Sequence, residues 1–217
     1  MVGRLKKDIF LFALACMFIV PFCSYADKLT VNQFLDVLSH KAQKRDKFSC
    51  NIIQKKKIEL FDDPLIFKGK IFVDRDLGVR LDFFEPVVSS IIITEENMTR
   101  CYGDGKEDVI SSSDSNVLKQ IIQQIHAWYM LDLDSVSSNY TISLLEDNTS
   151  LKVLPKDSSV KKVIKSILIQ FDKNEEFPKS IKISETNGDI TEIYLSQCVT
   201  ETHLDPTLFT KCFLQKK

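Results

Sequence analysis

Three histidines, His40, His126 and His203, are the residues best suited to acid–base chemistry or metal binding at neutral pH. No two of them have metal-ligand spacing, and none lies beside a nucleophile in a recognisable catalytic arrangement. The Gly-Asp-Gly-Lys turn at residues 103–106 is too short for a phosphate-binding loop and lacks its Ser or Thr. The pattern therefore predicts a protein that is not an enzyme, with no cofactor and no metal site.

Whether the cysteines form disulfides depends on the cellular compartment of the chain, and the N-terminal sequence predicts that compartment. A basic region with Arg4, Lys6 and Lys7 precedes an apolar run at residues 9–20, and small residues follow at positions 24 and 26. This order is typical of a cleavable export signal, because the run is too short to cross a bilayer as a mature helix. We expect cleavage after Ala26, which gives a signal peptide at 1–26 and one domain at 27–217. The alternative is a short N-terminal anchor.

Four cysteines then remain in the exported chain: Cys50, Cys101, Cys198 and Cys212. In an oxidising compartment four thiols favour up to two structural disulfides, with three connectivities open. No pair has the C-x-x-C spacing of redox or zinc sites. We expect at least one bridge, with Cys198–Cys212 as the first candidate because only a short segment separates them.

The elements that must position these residues are one helix, a series of strands, a second helix and further strands. Thr30 and Gln33 form a capping-box pattern, and apolar residues at helical spacing continue it to about Lys44. A wide apolar stripe predicts the second helix at 114–132. Asn187-Gly188 predicts a hairpin with a type I′ turn. The predicted strands cover residues 48–61, 65–73, 79–83, 87–94, 98–102, 140–145, 151–154, 163–171, 180–185 and 190–197.

This order favours one α+β domain, in which helices pack on one antiparallel sheet. The strands contain more apolar residues than one covered sheet face requires, since the runs at 91–93 and 167–169 are apolar at consecutive positions. The surplus is compatible with a pocket between sheet and helices, although the pattern by itself favours a well-packed core without a pocket. A formal net charge of −1 gives no indication of a nucleic-acid partner.

Residues 67–75 (FKGKIFVDR) lead into 79–86 (VRLDFFEP), which gives a strand with an early Gly and then an Arg-hydrophobic-x-aromatic strand before Pro. These two segments resemble consecutive strands of the LolA family, and further patterns of the chain resemble the same family. Phe48 with Gln54 resembles the family's opening strand. Residues 151–156 (LKVLPK) and 185–191 (ETNGDIT) resemble later strands of the family. Asp205 with Phe209 resembles the C-terminal end of the family's sequence pattern.

The resemblance implies an incompletely closed, strongly curved antiparallel β-barrel or sheet with a helical lid over an apolar cavity. It also implies a monomeric periplasmic carrier. Such a carrier accepts the acyl chains of lipoproteins from an inner-membrane lipoprotein-releasing ABC transporter and passes them to an outer-membrane acceptor. A strand-turn arginine would hold the lid, here the helix over 117–131, and Arg75 matches that position. Arg80 is the competing candidate for this lid contact. The alternative for Arg80 is a charged side chain that points outward into solvent. The predicted lining and lid residues are Arg75, Phe72, Leu81, Phe83, Ile91, Ile93, Trp128, Leu131, Ile169 and Phe171.

Two other functions stay open at this point. One is a lipid- or lipoprotein-sensing interaction module of the same fold. The other is an exported hydrolase, which the missing pairing of nucleophile and base disfavours.

Overall fold

The computed structural model describes residues 30–111, 133–172 and 177–212. In these ranges eleven strands form one sheet, accompanied by three α-helices and a short 3₁₀ helix. The strands are β1 Lys47–Lys57, β2 Leu65–Asp74, β3 Gly78–Glu85, β4 Ser89–Ile93, β5 Asn97–Tyr102, β6 Glu107–Ser111, β7 Tyr140–Leu144, β8 Ser150–Pro155, β9 Ile164–Phe171, β10 Pro178–Glu185 and β11 Ile190–Thr200. The helices are α1 Val31–Ala42, α2 Leu133–Asn139, α3 Ser158–Lys161 and the 3₁₀ helix Pro206–Phe209. No helix of these ranges is long and apolar enough to cross a membrane.

Helix α1 begins where the capping-box pattern predicts. The Gln33 amide N–H donates to Thr30 Oγ1 at 3.3 Å, and the Thr30 amide N–H donates to Gln33 Oε1 at 2.9 Å. The two contacts satisfy backbone donors that the first turn leaves free. The helix ends at Ala42, slightly before the predicted Lys44, and buries Phe34 and Leu38.

The sheet consists of two antiparallel meanders joined at the middle. Its order is β6-β5-β4-β3-β2-β1-β11-β10-β9-β8-β7, so β1 pairs with β11 and connects the two halves. The predicted antiparallel sheet is confirmed, and it is not closed, with β6 and β7 at its two ends. The lid helix predicted over 117–131 lies outside the described residues and stays a prediction.

The Asn187-Gly188 hairpin forms, but its turn differs from the predicted type. The Glu185 amide N–H donates to the Asp189 carbonyl at 2.9 Å, which leaves a three-residue loop. A positive φ of 94° occurs at Gly188 and not at Asn187. The type I′ prediction, which needs positive φ at both positions, is therefore wrong, while a three-residue loop ending in a left-handed Gly is a common alternative.

The prediction of at least one disulfide is confirmed, but the predicted Cys198–Cys212 pair is wrong. Cys50 of β1 is bonded to Cys198 of β11, and Cys101 of β5 is bonded to Cys212. Strand pairing explains the first bridge, because β1 and β11 are neighbours and their register shifts next to Cys50. The second forms because the chain beyond β11 runs across β3 and carries Cys212 to β5.

Candidate functional site

The first apolar cluster lies on one face of the sheet, which we call the inner face. Side chains of a strand alternate between faces, so Leu81 and Phe83 of β3 point to one side while Arg80 and Asp82 point to the other. Neighbouring strands add residues in register, as in the pairing of Leu81 with Ile71 and Ile91. The buried members are Cys50, Ile52, Ile71, Val73, Val79, Leu81, Phe83, Ile93 and Ile193.

The second apolar cluster continues the inner face on the other half of the sheet. Helix α1 covers it with Phe34 and Leu38, and the Phe34 ring meets Phe171 edge-on with centroids 5.8 Å apart. Ile181 of β10 packs against both clusters, so they form one continuous apolar face. The other buried members are Val136, Tyr140, Leu151, Val153, Ile167 and Ile169.

The two clusters differ in what surrounds them within the described residues. The second cluster includes helix residues, whereas the buried members of the first all come from strands. Several side chains packed on the first cluster are only partly buried, and they keep apolar surface accessible. Two of them make ring contacts: Phe67 lies 5.8 Å from Phe83, and Phe48 lies 5.3 Å from Phe177. The partly buried members are Phe48, Phe67, Ile91, Met98, Phe177, Ile181 and Leu195, with Cys198.

The structure brings together most of the predicted lining residues. Four of them, Leu81, Phe83, Ile91 and Ile93, lie in or against the first cluster, and Ile169 and Phe171 lie in the second. Two others, Trp128 and Leu131, lie outside the described residues.

Phe72 is a correction to the predicted lining set. It follows Ile71 and precedes Val73 in β2, so its side chain points to the opposite, outer face. There it packs in a third cluster with Leu204, Leu208 and Phe209. The sequence could have shown this, because alternation along β2 cannot place Phe72 beside Ile71 and Val73 on the same face.

Arg75 contacts a helix end, although the helix is α1. Its Nη2 donates to the Ala42 carbonyl at 3.0 Å, and its Nε lies 3.5 Å from Asp46 Oδ1. The Arg75 amide N–H also donates to the Asp46 carbonyl at 2.8 Å. A cation at the last carbonyls of a helix is favourable, because that end carries partial negative charge. Arg75 thus connects the β2–β3 turn to the helix that covers the second cluster.

A buried carboxylate supports the same corner. Asp74 is fully buried, pairs with Lys47 and accepts a hydrogen bond from the Asp76 amide N–H at 3.0 Å. The hydrogen bond from Lys47 to the Asp74 carboxylate raises the pKa of the Lys47 ammonium above its usual value. Lys47 therefore keeps its charge, and the ends of β1 and β2 are held together beside Arg75.

Arg80 is the candidate residue whose position the sequence interpretation predicted least well. The alternative of an outward, solvated charge is wrong, since the side chain is fully buried on the outer face. Its Nε lies 2.6 Å from Asp82 Oδ1, and its Nη2 donates to Ser90 Oγ at 3.0 Å. Its Nη1 donates to the carbonyls of Leu208 and Lys211 at 2.9 and 3.0 Å. Arg80 therefore fixes the C-terminal segment 201–212, and does not face the inner apolar clusters.

Comparison with known proteins gives one family match. The family model described as outer membrane lipoprotein carrier protein LolA matches residues 43–212. No curated protein sequence matches the chain.

Similar solved structures include three from different bacteria. A DUF1329 family protein from Desulfovibrio piger has a TM-score of 0.49 at 11% identity, covering 83% of this chain and 97% of that one. A LolA superfamily protein from Nitrosomonas europaea has 0.45 at 12%, covering 84% and 98%. The lipoprotein LppX from Mycobacterium tuberculosis has 0.46 at 10%, covering 81% and 100%.

Proposed function

The chain belongs to the LolA family, and from this premise we propose that it is a periplasmic carrier of lipoproteins. It shields their acyl chains, accepts them from an inner-membrane ABC transporter and passes them to an acceptor at the outer membrane. In this proposal the mature protein begins at Asp27, forms one domain over 27–217 and acts as a monomer without enzymatic activity.

The observation that carries the proposal is the continuous apolar inner face. Exposing an acyl chain to water costs roughly 0.8 kcal/mol per CH₂, so a carrier must offer apolar surface along the length of that chain. The first cluster offers partly buried residues, Phe67, Ile91 and Met98, next to fully buried ones. An acyl chain lying on them would exchange water for apolar side chains without breaking a strand hydrogen bond.

We propose that six residues of the inner face contact the acyl chains. Leu81, Phe83, Ile91 and Ile93 belong to the first cluster, and Ile169 and Phe171 extend the contact towards helix α1. The covering element of the proposal is the one that the family implies: the helix predicted over 117–131, with Trp128 and Leu131, closes over this face.

Arg75 has a separate role in the proposal. Its hydrogen bond to Ala42 holds helix α1 over the second cluster, and cargo entry that shifts α1 must break this contact. A charged hydrogen bond of this kind contributes about 1.5–3 kcal/mol, enough to keep acyl affinity moderate and to allow release. Arg75→Leu should therefore bind acyl chains more tightly and deliver them less well.

The test compares two isoleucines on opposite faces of the same sheet, Ile91 of β4 and Ile53 of β1. Ile91→Gln places an amide in the first cluster, while Ile53→Gln is the matched control on the outer face, where Ile53 is 40% exposed. We expect Ile91→Gln to weaken binding of a fluorescent diacylated lipopeptide at least about tenfold, and Ile53→Gln to leave it unchanged. Equal affinity of the two variants and wild type would contradict the proposed site.

A second measurement separates carrier from sensor. Purified wild-type protein is added to spheroplasts, and lipoproteins released into the soluble fraction are quantified. A carrier releases them in proportion to added protein. Binding of the lipopeptide without any release would instead favour the sensing module.

A further inference from the structure

The hairpin tip between β1 and β2, residues 58–64, and the first residue of β2 expose large apolar side chains. Leu60 is 90% exposed and Phe61 is 58% exposed, and Leu65 at the start of β2 is 45% exposed. Scattered apolar residues are normal on a surface, but two adjacent ones in the turn of a hairpin give a concentrated apolar contact. The tip therefore has the hydrophobic part of an interaction site.

The tip is held in a defined position. The Phe61 amide N–H donates to the Ile58 carbonyl at 3.0 Å, so the chain turns within the tip itself. The Glu59 amide N–H donates to Asp189 Oδ1 at 3.0 Å, which fixes the base of the tip against the β10–β11 turn. An ordered apolar contact loses less conformational entropy on binding than a free loop does.

The charge around the apolar pair identifies the partner's chemistry. Glu59, Asp62 and Asp63 flank it, and no basic residue occurs between Lys57 and Lys68. An anionic bilayer attracts basic segments and repels such a group of carboxylates. A second copy of the chain would bring six carboxylates together in a symmetric contact. An apolar pocket with a basic rim complements both features.

We propose that this tip is a docking element for a protein partner that presents an apolar pocket rimmed by Lys or Arg. The tip ends the two strands that carry Ile52 and Phe67 of the first cluster, so a partner bound there lies next to the acyl-binding face. The identity of the partner rests on the proposed carrier function: it would be the membrane component that gives or receives cargo.

The experiment uses the full mature chain and three variants. L60S/F61S removes the apolar pair, and D62K/D63K reverses the charge without touching it. Val87→Ser with Val88→Ser is the matched control, because these adjacent valines of the β3–β4 loop are 61% and 42% exposed. A photo-crosslinking residue replaces Leu60, or Val87 for the control, and the labelled protein is irradiated with spheroplasts of the source organism.

We expect a discrete protein crosslink from position 60 and none of that mass from position 87. Unlabelled wild type and the valine variant should compete for it, whereas L60S/F61S should compete roughly 100-fold less well, as expected when two buried apolar anchors are lost. D62K/D63K should also compete poorly for the crosslink. Its difference from wild type should shrink as the salt concentration is raised from 0.05 to 0.5 M, because salt screens the charges.

The readouts also separate this proposal from the carrier function. All variants should bind the fluorescent lipopeptide like wild type, while the two tip variants release less lipoprotein from spheroplasts. If wild type fails to bind the lipopeptide but the crosslink keeps its charge dependence, the carrier function fails and the docking element stands. The docking element is overturned by absence of a protein crosslink, or by one that the tip variants compete for as well as wild type. Tip-dependent sedimentation with phosphatidylglycerol vesicles, or tip-dependent self-association, would also overturn it.

Discussion

Arg80→Met should destabilise the protein by about 3–5 kcal/mol. The substitution keeps an unbranched stem in place of the aliphatic part of Arg80, but it leaves the Asp82 carboxylate, only 2% exposed, without its cation. Removing one partner of a buried ion pair typically has this cost, because the other charge stays buried and uncompensated. The carbonyls of Leu208 and Lys211 lose their donor in the same change.

The double variant tests the cause of that loss. Arg80→Met with Asp82→Asn removes the uncompensated charge but still leaves the two carbonyls without the guanidinium, so we expect a smaller loss of about 1–3 kcal/mol. Urea unfolding followed by far-UV circular dichroism, under non-reducing conditions, gives each free energy of unfolding. Lys106→Met, at the exposed Lys106–Asp104 pair, is the control and should leave the midpoint unchanged. A single variant within about 1 kcal/mol of wild type, or a double variant no better than the single one, would refute this reasoning.

Three further predictions concern stability. Gly69→Ala should lower the free energy of unfolding by about 1–3 kcal/mol, because an added Cβ would lie 2.0 Å from a backbone carbonyl of β3. The control Gly103→Ala, whose added Cβ would have its nearest atom at 3.2 Å, should lower it less in the same urea assay. Cys101→Ser with Cys212→Ser opens a loop of sequence separation 111 and should cost up to about 5 kcal/mol in the chain-entropy model, so an unchanged unfolding midpoint would count against the bridge. Hydrogen bonds from the β7–β8 turn, above all the one that the Ser150 hydroxyl donates, lower the pKa of the Asp147 carboxyl below its usual 3.8. The ionised carboxylate therefore stabilises the folded protein above that pH, and this stabilisation is lost as the pH falls through the lowered pKa. The stability gap between wild type and Asp147→Asn should therefore shrink from pH 6 to pH 2, and a constant gap would be inconsistent with the turn's hydrogen bonds.

The sequence predicted those features that depend on local chemistry. Thr30 and Gln33 marked the first turn of α1 because capping involves residues three apart. Alternation along residues 79–83 predicted a strand, and β3 forms there. The turn at 185–189 was placed correctly as a hairpin, although its backbone conformation was not.

The features that it missed depend on pairing between distant strands. Cys50 and Cys198 meet only because β1 and β11 are neighbours, which spacing along the chain does not show. Arg80 is buried because residues 201–212 cover it, more than a hundred positions away. A signal for this was present, since Asp82 follows Arg80 by two residues and so lies on the same strand face.

The central position of the β1–β11 pairing has a consequence for how the chain folds. Each meander brings together strands that are close in sequence, so each half can form from local contacts. The seam between the halves instead joins the first strand to the last, across a sequence separation of 148 at Cys50–Cys198. Closing so long a loop has an entropy cost that local strand pairing does not, so the seam is the slow, late contact of the topology. Until it closes, β1 and β11 each present an unpaired edge, and these edges, rather than the outermost strands, are where assembly with the wrong partner would begin.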